Sequence, residues 1–73
     1  MALSIHQLMV MRSLLAQGWP SSMVDILLRR CALEEEGWQE LLALGWLEEK
    51  EGRWFLTKAG KRGYKRESKG RYF

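Results

Sequence analysis

The sequence predicts one small domain, mainly α with a small β-hairpin, and three observations carry that expectation. The chain has 73 residues, 47% of them hydrophobic and four of them Trp, which is enough apolar surface for one core but too little chain for a second. Three stretches repeat apolar residues at three- and four-residue spacing behind a capping Ser or a tight turn. After Gly45 that period gives way to aromatic and branched residues on both sides of a Gly-containing turn.

Ser4 followed by Gln7 reads as a capping box, so the first helix starts there and ends near Gln17, with Gly18 as its left-handed stop. Ile5, Leu8, Met9, Met11, Leu14 and Leu15 cover more than one face, so this helix is expected to lie mostly in the core. Trp19 to Ser22 form a connection. Ser22 with Asp25 repeats the cap signal before Val24, Ile26, Leu27 and Leu28, in a short helix ending near Arg30. Cys31 and Ala32 make a tight turn, and Leu33, Trp38, Leu41 and Leu42 mark a third helix from about Leu33 to Leu44, with Gly45 just past its end. Gly37 inside it costs about 1 kcal/mol relative to Ala and points to close approach of another helix. Trp46 and Leu47, then Arg53 to Leu56, predict a two-stranded hairpin turning at Lys50, Glu51 and Gly52. Trp38, Trp46 and Trp54 fall on a helix, a connection and a strand, a distribution that indicates a shared core. Thr57 caps a short basic helical turn through about Tyr64. The domain is therefore placed at residues 1–64, and 65–73 is expected to be a flexible basic tail because Arg66 to Phe73 offer few apolar side chains.

The lone Cys31 makes no internal disulfide, and no second Cys or His stands at a zinc-ligand spacing from it. No metal or cofactor is expected, and a reducing, cytoplasmic setting follows as the default. His6 lies among apolar residues without a nearby acid or nucleophile, and no phosphate-binding Gly loop or Ser/His/Asp set occurs, so no enzyme is expected. Arg12, Gly18, Trp19 and Pro20 interrupt the weakly charged first 24 residues, which excludes a signal peptide or membrane span there. Charge is unevenly placed. Residues 1–51 carry Arg12, Arg29, Arg30 and Lys50 against eight acids, whereas residues 52–73 carry eight basic side chains against Glu67 alone. Two faces of opposite sign are expected.

The order helix, helix, helix, hairpin, with a short turn between the second and third helices, resembles the winged helix-turn-helix domain. The stretch LLALGWLEEKEGRWFLTKAGKRGY, residues 41–64, is similar to the third helix, wing and Leu-Thr-x-x-Gly ending of MarR-like members. The extra dimerisation helices of full MarR proteins have no counterpart in it. The resemblance implies a third helix that enters the DNA major groove and a wing that touches neighbouring phosphates.

Here the solvent face of that helix is acidic. With Leu33, Trp38, Leu41 and Leu42 inward, Glu36, Gln39, Glu40 and Ala43 point outward beside Glu34 and Glu35, and no Arg or Lys occurs from Leu33 to Glu49. Acids in a first turn complement the helix dipole, a purely structural role that accounts for Glu34, Glu35 and Glu36 but not for Glu40, which repels Glu36 one turn away. Glu34, Glu35, Glu36, Gln39 and Glu40 are therefore the expected contact with a protein of the transcription machinery. By analogy of size and architecture, the implied class is the small phage-encoded regulators that bind bacterial RNA polymerase. Arg53 at the wing and Lys58, Lys61, Arg62, Lys65, Arg66, Lys69 and Arg71, interleaved with Tyr64 and Tyr72, are the candidates for weak contact with nucleic-acid phosphates. Their spacing looks irregular, and a merely solvated tail explains them equally well. The alternative function is a DNA-binding winged-helix repressor that uses wing and tail on phosphates.

Overall fold

The computed structural model describes residues 3–69. It is mainly helical, in the order α1 (Ile5–Ala16), β1 (Trp19–Pro20), a 3-10 turn (Ser21–Met23), α2 (Val24–Arg30), α3 (Glu35–Ala43), β2 (Leu47–Lys50), β3 (Arg53–Leu56) and α4 (Lys58–Glu67). The capping box forms as expected: the Gln7 amide donates to Ser4 Oγ at 3.1 Å and the Ser4 amide to Gln7 Oε1 at 2.9 Å. α1 is central, packing against α3, β3 and α4. That position buries Leu8, Val10, Met11 and Leu14, while Ile5 and Leu15, expected inside, stay exposed. Leu27, Leu28 and Cys31 of the α2 segment, Trp38 and Leu41 of α3, and Leu47 and Leu56 of the sheet complete the core.

α2 and α3 end in the same backbone motif with different residues at its left-handed position. Leu33 N–H donates to Leu28 O at 2.9 Å and Ala32 N–H to Arg29 O at 3.1 Å, and Ala32 has φ 53°. At the end of α3, Trp46 N–H donates to Leu41 O at 3.2 Å and Gly45 N–H to Leu42 O at 3.0 Å, with Gly45 at φ 72°. Each is a Schellman motif. Because Leu33 completes the first motif, α3 starts later than its apolar spacing suggested, at Glu35 behind Glu34. A left-handed L-residue costs roughly 1 kcal/mol or more that glycine does not, and Ala32 is exposed, so Ala32→Gly loses no packing. That substitution is expected to raise stability by about 0.5 kcal/mol once the extra unfolded-state freedom of glycine is deducted. Thermal denaturation followed by circular dichroism should show a melting point a few degrees higher; a lower one would refute this account of the turn.

Three departures from the sequence reading concern what surrounds the hairpin. Its turn is as expected, with Glu51 at φ 51° and Gly52 at φ 76° between the paired residues Lys50 and Arg53, the type I′ geometry that follows strand twist. Yet the sheet has three strands in the order β1-β3-β2, because Trp19 and Pro20, read as plain connection, pair with Trp54 and Arg53. A two-residue edge strand is too short to show a period, and its Pro, which lacks an N–H, is tolerated only at an edge. Ser22 does not cap α2: the 3-10 turn precedes that helix, and the cap residue Met23 makes no side-chain bond. The neighbouring Ser21 uses its N–H on Gly52 O at 2.8 Å and its hydroxyl on the Glu49 carboxylate, clamping the connection to the hairpin. Gly18 is no left-handed stop either, since α1 ends on extended Gln17. A β-carbon at Gly18 would collide with the Phe55 ring, which is why glycine stands there.

The fourth helix is longer than expected. Thr57 caps it, taking the Gly60 amide at 3.0 Å and donating its hydroxyl to Gly45 O at 2.8 Å. The helix then crosses the expected boundary at residue 64 and continues to Glu67, whose carboxylate accepts the Leu3 amide at 3.3 Å. Few apolar residues are needed because the packing face is glycine: β-carbons at Gly60 and Gly63 would strike the Trp46 carbonyl and the Trp46 indole respectively. Of the three evenly spaced Trp, Trp38 and Trp54 meet edge to face with centroids 5.3 Å apart, a contact worth about 0.5–1.5 kcal/mol beyond its area. Trp46 and Trp54 both pack against the core that contains Trp38, as expected, Trp46 from under α4.

Candidate functional site

Two charged surfaces stand out. On α3, Glu34, Glu35, Glu36, Gln39 and Glu40 are all exposed, as the periodicity required. They are not equivalent. Gln39 Nε2 donates to Glu35 Oε1 at 2.9 Å, one turn away along the helix. Glu40 accepts from Nε2 of Gln7 at 3.1 Å, and the same nitrogen donates to Gly37 O at 3.1 Å. Gln7 is the buried polar residue of α1, 4% exposed. Its amide therefore offsets the repulsion between Glu36 and Glu40, which the sequence left unexplained. A β-carbon at Gly37 would strike the side chain of Leu33, four residues before it, and would meet Gln7 of α1 only at ordinary contact distance, so the close approach expected there is local rather than that of another helix. Sequence reasoning found the oxygen end of Gln7 in the capping box and missed the nitrogen end, because the partners are 30 and 33 residues away.

The expected basic residues are arranged more regularly than their spacing suggested. Lys58, Lys61, Arg62, Lys65 and Arg66 lie on α4 and are exposed, Lys69 is exposed just beyond it, and Arg71 lies outside the described residues. Positions 58, 61, 62 and 65 are i, i+3, i+4 and i+7, one stripe of a helix. The helical turn expected through about Tyr64 runs on to Glu67, and that extension brings Lys65 onto the same face as Lys58, Lys61 and Arg62, opposite Gly60 and Gly63. The 3.6-residue period was present in the sequence, but the missing apolar residues hid it. Arg66 Nε lies 3.9 Å from the Glu67 carboxylate and Lys50 Nζ 3.3 Å from Glu48, both at the surface, where such pairs contribute little. Arg53 differs from the rest: its Nη1 donates to Gly18 O at 3.2 Å and so braces the α1–β1 connection.

The two residues with chemistry of their own are occupied structurally. Nδ1 of His6 lies 3.0 Å from the carbonyl of Cys31, the residue that ends α2. Burial pushes the Cys31 thiol up, against the opposing influence of the Arg30 charge and a hydrogen bond with Ser13, so at neutral pH it is a protonated thiol of the core and not a thiolate nucleophile. Among the described residues no group of three or more His, Cys, Asp or Glu is placed to hold a metal, and no helix is long and apolar enough to cross a membrane. Compared with known protein families, curated proteins and solved structures, the chain matches none.

Proposed function

We propose that this chain is a winged helix-turn-helix regulator of transcription that acts by contact with a protein of the transcription machinery, bacterial RNA polymerase being the example its size suggests. The order of three helices and a hairpin, with α2 and α3 joined by a tight turn, supports the fold. The observation that carries the function is the sign of the α3 surface: carboxylates at 34, 35, 36 and 40, and no Arg or Lys from Leu33 to Glu49. Duplex DNA carries about one negative charge per 1.7 Å of axis, so an acidic helix entering its groove works against that field. A basic protein surface gains from the same charges.

The test is binding of purified bacterial RNA polymerase to the wild type and to Glu36→Gln/Glu40→Gln. Both substitutions remove charge, and Glu40→Gln keeps an oxygen acceptor for Gln7, so stability should change by no more than about 0.5 kcal/mol. Surface charges act mainly on association rate, so the expected result is a slower on-rate at low salt. Unchanged kinetics with a retained fold would return these residues to a helix-dipole role. If the polymerase does not bind at all while one DNA operator binds at nanomolar affinity in physiological salt, the repressor reading replaces this one.

A further inference from the structure

We infer that the outer face of α4 holds the sugar–phosphate backbone of duplex nucleic acid without reading its bases, a role independent of α3. Four cations, Lys58, Lys61, Arg62 and Lys65, share one stripe of a capped helix, and all are exposed. The acid of α4, Glu67, is half-buried and bonded to the Leu3 amide, so it does not neutralise the stripe. At 1.5 Å per residue the stripe spans about 10 Å, about three base-pair steps of duplex axis at 3.4 Å each.

The composition of the stripe selects among polyanions. A membrane-surface helix needs an apolar face to bury, and the other face of α4 is Gly60 and Gly63 already packed on Trp46. Unpaired bases are held by stacking on aromatic rings, and the stripe has none. Adenine and cytosine edges are read by amide or carboxylate side chains, which the stripe lacks, and three of its four cations are lysines, which act as point charges. A duplex backbone, met in whatever sequence, is the ligand left.

The experiment is fluorescence anisotropy of the full chain with two short labelled duplexes of unrelated sequence, titrated between about 50 and 200 mM salt. Four phosphate contacts give a log–log slope of about −3 to −4, or roughly 100-fold weaker binding across that range. Lys61→Gln/Lys65→Gln should make the slope shallower by about 2 while circular dichroism shows the wild-type fold. No binding at the lower salt, or an unchanged slope in this folded variant, would overturn the assignment. So would tighter binding to the single strand or to phosphatidylserine-containing vesicles. A tenfold or larger preference between the two duplexes would overturn the claim that bases are not read.

Discussion

Gly60→Ala is expected to destabilise the protein by about 2–3 kcal/mol, although alanine is the better helix former. Its β-carbon would overlap the Trp46 carbonyl, a backbone group that is held in place because it accepts the Thr57 amide at 3.0 Å. The helix-propensity gain of about 1 kcal/mol is outweighed by overpacking and by distortion of the bond that starts α4. For a domain of this size the loss corresponds to a melting point roughly 10–20 °C lower. Gly63→Ala meets the Trp46 indole, a side chain that can move or be cut back. Trp46→Leu should therefore relieve Gly63→Ala and leave Gly60→Ala as damaging as before. A double-mutant cycle with equal coupling at both glycines would show that the two contacts have been told apart wrongly.

Gln7→Leu is the second large effect, an expected loss of about 2 kcal/mol for a substitution close in size. Three bonds disappear: Ser4 N–H loses its acceptor, while Gly37 O and Glu40 lose their donor. A neutral hydrogen bond contributes about 0.5–1.5 kcal/mol net, and the bond to exposed Glu40 is discounted for solvent. Some of the cost returns as apolar burial. Urea denaturation is the direct measurement, and it should also show that Glu40→Ala costs the wild type more than it costs the Gln7→Leu protein. Equal costs in the two backgrounds would mean that the Gln7–Glu40 bond contributes nothing in solution.

Both predictions rest on contacts that the linear chain conceals. Gly60 and Gly63 look like weaknesses in a basic segment, and only Trp46 beneath them explains why α4 continues where apolar residues run out. The stripe of Lys58, Lys61, Arg62 and Lys65 was present in the spacing, but a helix is recognised by its apolar period, and here the buried period is written in glycine. The acidic face was legible because α3 has an ordinary apolar side: Trp38 and Leu41 turn inward, and the glutamates are exposed by geometry.

The sequence by itself determined what depends on neighbours a few residues apart: the caps at Ser4 and Thr57, the stop at Gly45, the hairpin turn at Glu51 and Gly52, and the side of α3 that carries the carboxylates. These features are set by local hydrogen bonds and by the φ that each residue tolerates. Only the tertiary structure decided the third strand at Trp19–Pro20, the need for glycine under the Phe55 ring, the seat of Trp46 on α4, and the use of Gln7 to join α1 to Glu40. Each of those joins residues from 14 to 37 positions apart, and a side chain's near neighbours in sequence carry no record of a backbone or ring that reaches it from another element.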